Sequence, residues 1–244
     1  MNQNVKNGIL NKLSLTKLTA LCLGAMSSLA AAENQKSIAP TFLDSRQGDS
    51  LALIGIYDSM DGSNWSKKTH WKTAEPMDNW EGVSLQGGRV SKLNLRSVGA
   101  TGDFPAELGN LSELDTLYCQ GNEITSLPSS INELEDLEIL AISFNEFTAL
   151  PDQITELQKL RRILAEGNYF ETLPEQLGSI ANLEMLNIQG SNLTRIPSSI
   201  TSLSFLSYLG LHQNKLGFDA IEQSYGDVSR IEYYGQKTLG DTTQ

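Results

Sequence analysis

One leucine position returns every 23 residues: Leu114, Leu137, Leu160, Leu183 and Leu206. From each of them the same string runs, L-x-x-L-x-L-x-x-N-x-L, with conservative replacements. One copy reads Leu137-x-x-Leu140-x-Ile142-x-x-Asn145-x-Phe147, and the next reads Leu160-x-x-Ile163-x-Ala165-x-x-Asn168-x-Phe170. The second half recurs as well: Leu127-Pro128-x-x-Ile131-x-x-Leu134 is matched from Leu150-Pro151, Leu173-Pro174 and Ile196-Pro197. A unit of 24 residues precedes the series, starting at Val90, and a truncated one closes it from Leu206 to Leu216. A unit of this size cannot bury its own apolar face, so the units must stack and share a core.

The alternation Leu-x-Leu has period two and suits a short strand with one buried face. The return half places apolar residues three apart, which suits a helical or 3-10 turn packed back on that strand. Burying one Leu or Ile is worth roughly 1.5–3 kcal/mol, so several per unit offset the entropy of ordering it. Over residues 90–216 the chain resembles the leucine-rich repeat proteins, with about six units. The resemblance implies an α/β solenoid: short parallel strands on a concave face and helical or 3-10 turns on the convex face.

Asn122, Asn145, Asn168 and Asn214 occupy the asparagine position. An amide side chain both donates and accepts, so it can bridge backbone groups of adjacent turns that no strand ladder reaches. These residues are read as structural. Val98 and Ser191 stand at this position in two units, and the asparagine ladder is expected to weaken there. Cys119 falls where the other units carry Leu95, Ile142, Ala165, Ile188 and Leu211, so it is read as a buried thiol rather than a nucleophile.

A stack exposes raw core at each end, so atypical terminal units are expected. Residues 46–89 are assigned to the first. They contain a helix-like stretch, Leu51-Ala-Leu53-Ile54-Gly-Ile56-Tyr57, with Asp49 or Ser50 available to cap it. Trp65, Trp71 and Trp80 follow, and all three tryptophans of the chain lie here. This unit resembles the N-terminal cap of secreted, plant-type leucine-rich repeat proteins, bacterial ones included, though it lacks the paired cysteines of the plant receptors. An aromatic ligand site is the alternative for the tryptophans. Asp58, Asp61, Ser63 and Asn64 do not follow the ligand spacing of a calcium loop and read as turn chemistry. Residues 217–244 lose the repeat; within them Val228–Tyr234 has strand-like composition suited to covering the last unit, and 240–244 reads as a frayed tail.

Residues 1–32 differ from the rest. They hold Lys6, Lys12 and Lys17, no acid, an apolar run from Leu18 to Leu29 and then Ala30-Ala31-Ala32. These are the parts of a secretory signal peptide, with cleavage expected after Ala32 and a linker over 33–45. The apolar run of about a dozen residues is short against the roughly 20 of a spanning helix, so no stable membrane insertion is expected after cleavage. An uncleaved anchor is the alternative; Cys22 follows Leu21, which argues against a lipoprotein site. The expected location is secreted, periplasmic or cell-surface. Asn64, Asn110 and Asn192 stand in glycosylation sequons, which would be idle in a bacterium.

Charge narrows the partners. Lys+Arg is 18 against Asp+Glu 29, a net of −11 that becomes −11 − 3 = −14 without the leader's three lysines. An acidic chain lacks the footprint of phosphate-backbone binding, so no nucleic-acid partner is expected. The chain has 2 cysteines and 2 histidines and shows no nucleophile-elbow, zinc-protease or phosphate-loop motif. No cofactor, metal or catalytic residue is assigned.

Function is therefore sought on the strand face. The outward positions include Tyr118, Ile139, Ala141, Leu164, Met185 and Tyr208, with Phe144 just after the third strand. They form an apolar patch rimmed by Lys92, Arg96, Arg162, Glu166 and His212, with Glu166 beside Arg162 as a candidate ion pair. Such a composition fits a recognition surface. The chain is read as a monomeric, non-catalytic module binding a protein or peptide through Arg96, Tyr118, Ile139, Phe144, Arg162, Leu164, Met185 and Tyr208. A glycan-binding or adhesion protein, or an accessory to a hydrolase, is the alternative.

Overall fold

The computed structural model describes residues 45–217 and a two-residue strand at 231–232. The expected leader, nearly all of the linker and most of the C-terminal segment lie outside the described residues.

The chain opens with helix α1 (Ser45–Ser59) and two single 3-10 turns, then a hairpin of β1 (Val83–Gln86) and β2 (Arg89–Asn94). The hairpin turns on Gly87-Gly88, both with positive φ (60° and 87°). A two-residue turn matching strand twist needs that conformation at both positions, which glycine adopts without strain. From β2 onward each unit contributes one short strand to a parallel sheet. These are β4 (Thr116–Tyr118), β6 (Ile139–Ala141), β7 (Arg162–Leu164), β8 (Met185–Asn187) and β9 (Tyr208–Gly210). Three strands lie between or beyond them: β3 (Thr101–Asp103) and β5 (Glu123–Ser126) pair in a separate two-stranded sheet, and β10 (Ile231–Glu232) pairs parallel to β9. The order of the main sheet is β1-β2-β4-β6-β7-β8-β9-β10.

Register follows the repeat. Leu93 faces Leu117, then Leu140, Ile163, Leu186 and Leu209, and all six are fully buried. The return half is a 3-10 turn in every full unit, as at Ser129–Glu133 and Asp152–Glu156. In four of the five, a proline sits just before the turn (Pro105, Pro128, Pro151, Pro197), its fixed φ starting the turn where its missing N–H costs nothing. Strand leucines, return-half residues such as Ile131 and Leu134, and the stacked Phe147 and Phe170 (6.4 Å between centroids) join one apolar core. That core runs from Ala52 to Leu216.

Asparagine side chains hold the units together along one edge. Asn145 donates to the carbonyls of Cys119, Ile142 and Ser143 and accepts from the Ile124 N–H at 3.1 Å. Asn168 and Asn214 repeat this on Phe147 and Leu193. Val98 has no polar side chain and supplies no rung of its own; the next rung, Asn122, accepts from the N–H groups of Val98, Gly99 and Ala100 together. At Ser191 a rung is missing: its buried Oγ has no hydrogen-bond partner. A hydroxyl is too short to reach the groups that a carboxamide spans.

The tryptophans close the first end. All three are at least 95% buried, and their indole N–H groups donate to the carbonyls of Met60, Glu81 and Glu75. Tyr57 stacks on Trp71 at 5.7 Å. Asp49 does not cap the helix. It lies inside α1, 1% exposed, and accepts two bonds from the Arg89 guanidinium (2.9 Å each) and one from the Val90 N–H (2.8 Å). The helix is thereby fastened to β2 through the buried Asp49 carboxylate and the half-buried Arg89.

Candidate functional site

Strand alternation sends every second residue away from the core, and the register stacks these into rows. One row reads Lys92, Thr116, Ile139, Arg162, Met185, Tyr208; the next reads Asn94, Tyr118, Ala141, Leu164, Asn187, Gly210. A third continues beyond the strand ends as Arg96, Gln120, Ser143, Glu166, Gln189 and His212, held by bonds such as Phe144 N–H to Glu166 O at 2.7 Å. Ile139, Leu164, Met185, Tyr118 and Tyr208 are half-buried, while Arg96 and Arg162 are exposed. The small side chain of Ala141 is fully buried, so it leaves the expected patch; larger neighbours on both sides close over it.

Phe144 stands apart. It is 59% exposed, yet its backbone is left-handed (φ 56°). The equivalent residues of the neighbouring units are Gly121, Gly167 and Gly190, also at positive φ, with Ser97 and Gln213 at the two ends. A bulky residue in this region carries a steric cost that glycine avoids. Its ring lies across Gly167: a Cβ there would come within 2.6 Å of the Phe144 Cδ1. The core gains nothing from this arrangement, since the ring projects into solvent. Strain retained without packing gain is a mark of functional surfaces. This column was visible in the sequence as Gly, Phe, Gly, Gly at one repeat position, and it is the signal that a reading of hydrophobicity alone passes over.

Beside Phe144 lies an open depression of about 410 Å³ between Arg96, Gln120, Leu164 and Glu166. Its charged groups are pre-positioned. The Arg96 guanidinium stacks 3.6 Å from the Tyr118 ring centroid, and its Nε donates to Gln120 Oε1 at 2.9 Å. Glu166, just past the end of β7, does not pair with Arg162 at the start of that strand, four residues back. Its Oε2 instead accepts from Asn187 and Gln189 of the next unit, the latter at 2.9 Å.

Other candidates lose their functional reading. The tryptophans present no platform, being buried. Asp61 takes up the Asn64 amide (2.9 and 3.0 Å) and the Ser63 hydroxyl as a local turn. Among the described residues no cluster of side chains is suited to a metal, and no helix is long and apolar enough to cross a membrane. The Cys119 thiol is fully buried, and desolvation pushes its ionisation far above the ordinary range.

No family model matches the chain. Several solved structures do. The LRR ectodomain of the plant membrane receptor kinase GASSHO1/SCHENGEN3 from Arabidopsis thaliana, solved in complex with CASPARIAN STRIP INTEGRITY FACTOR 2, is 27% identical at a TM-score of 0.60; the match covers 69% of this chain and 21% of that one. The LRR ectodomain of the receptor kinase SOBIR1 from the same plant is 26% identical at 0.56, covering 68% and 92%. A chain of the BIR3–SERK2 complex from Arabidopsis thaliana is 27% identical at 0.56, covering 69% and 97%. The fold is that of the leucine-rich repeat, and the similarity to ectodomains found in complexes supports a protein-binding module.

Proposed function

We propose that this chain is an exported, non-catalytic module that recognises a protein or peptide through the open, concave face of its sheet. The observation that carries the reading is Phe144, a solvent-exposed ring kept at a left-handed position that three neighbouring units give to glycine. Around it lie Arg96, Tyr118, Ile139, Arg162, Leu164, Met185 and Tyr208, a mixture of aromatic, aliphatic and guanidinium groups suited to a recognition centre. Among the similar structures, the GASSHO1/SCHENGEN3 ectodomain and the BIR3–SERK2 pair are complexes, which is in keeping with this role. In the same proposal residues 1–32 are a signal peptide cleaved after Ala32, 33–45 a linker, 46–89 a plant-type cap, 90–216 the repeats and 217–244 a C-terminal cap and tail.

The test uses the chain without its leader as bait against the secreted proteins of its source. Tyr118→Asp with Leu164→Asp is expected to abolish capture of whatever the native chain retains, with the thermal unfolding midpoint preserved. Phe144→Gly is expected to weaken capture while raising stability by about 1 kcal/mol, through relief of the left-handed strain. Capture unchanged in both variants would remove this face from consideration.

A further inference from the structure

Arginines divide the described surface in two. Arg46, Arg89, Arg161 and Arg195 each contact a carboxylate, those of Asp78, Asp49, Glu184 and Glu175. The two on the sheet face, Arg96 and Arg162, contact none among the described residues. Lys92, exposed in the same rows, is likewise without an acidic partner among the described residues. The charged side chains of the three rows are thus Lys92, Arg96, Arg162 and Glu166, a local balance of 3 − 1 = +2 on a chain whose net charge is −11. Among the described residues the carboxylates other than Glu166 keep off this face, which leaves both guanidiniums without an acidic partner there. Arg96 is also held ready: the Tyr118 ring and Gln120 fix its plane, and its terminal nitrogens remain available for a bidentate bond.

Resting on the reading that this face binds protein or peptide, we propose that its ligand is an extended acidic peptide segment whose carboxylates meet Arg96 and Arg162 across an apolar saddle. The rows fix the spacing. Three strand steps of about 4.8 Å separate the unit of Arg96 from that of Arg162, and four residues along the strand add about 13 Å, giving a diagonal of roughly 20 Å. An extended peptide covers this in about six residues at 3.3–3.6 Å each. Ile139 lies between the two arginine positions, and it and the edge of Tyr118 left free by the stacked Arg96 take the apolar side chains between the acids. An acidic polysaccharide fits less well, because the saddle between the charges offers aliphatic and aromatic surface rather than donors and acceptors for hydroxyls. Glu166, fixed by Asn187 and Gln189 at one edge of the diagonal, disfavours an acid placed near it and so sets direction.

The experiment selects a phage-displayed library of random twelve-residue peptides on the chain without its leader, at low and at 0.5 M salt. Expected are peptides with two acidic residues about six apart around an apolar centre, with affinity falling at least tenfold at high salt. Arg96→Glu with Arg162→Glu should lose these peptides and select basic ones instead, whereas Arg161→Glu, outside the rows, should not. Enriched peptides without separated acids, or acidic ones indifferent to the double reversal but lost in Tyr118→Asp with Leu164→Asp, would overturn this inference and leave the binding face standing. Peptides indifferent to both pairs of substitutions would overturn the face itself. Failure to enrich any peptide, or capture of polygalacturonate on the same arginines in its place, would also overturn the acidic-peptide assignment.

Discussion

The N-terminal unit and the repeats that follow close the same core by different means. A repeat is closed by its neighbours: leucines at matched register meet leucines, and asparagine amides tie one turn to the next. Among the described residues the first unit has a neighbour on one side only. It covers the exposed end with three indoles whose N–H groups all find carbonyls, and with the buried Asp49 carboxylate paired to the half-buried Arg89. Distributed, interchangeable contacts stabilise the interior, and a few irreplaceable ones stabilise the end. Loss of a contact should therefore be graded by region.

The largest effect is expected at the end unit. Arg89→Ala leaves the Asp49 carboxylate buried against a single remaining N–H, at a cost of about 3–5 kcal/mol. Urea denaturation followed by tryptophan fluorescence reports on this region directly, since all three tryptophans lie there. A loss under 1 kcal/mol would show that the end is held by its aromatics alone. In the interior, Asn145→Ala should cost about 1–3 kcal/mol by orphaning buried backbone groups of two units. A midpoint unchanged in circular dichroism would mean that the asparagine ladder is dispensable. Smallest, and opposite in sign, is Ser191→Asn. It supplies the missing rung and should add about 0.5–1.5 kcal/mol. Destabilisation instead would show that the space around Ser191 has closed over and cannot accept the larger side chain.

The same division explains what could be read before the structure. Whatever recurs was legible: the leucine register, the return turns, the inward Cys119 and the asparagine positions each appear several times at a fixed interval. Apart from the tryptophan-rich end unit, much of what occurs once was not. Asp49 looked like a helix cap because its true partner, Arg89, lies 40 residues away with no periodicity to connect them. The β3–β5 pairing belongs to the first two units alone, and nothing in its short polar segments distinguishes strand from turn. On the sheet face the apolar rows were foreseen, but Ala141 was counted as surface because exposure depends on the size of flanking side chains, not on strand parity alone. Closeness in sequence made Arg162 a candidate partner for Glu166, although four residues along an extended backbone is a separation of about 13 Å. Its actual partners come from the next unit.

One strand per unit has a consequence for how such a surface can change. Removing residues 137–159 as a block would fuse two copies of the same motif in frame, replacing Leu137 by Leu160. Every side chain beyond the junction would advance by one inter-strand step, about 4.8 Å, and turn only by the small rotation that each unit adds to the solenoid. The molecule is in this sense a graduated ruler: whole-unit gain or loss resets the distance between two marks without redrawing either of them.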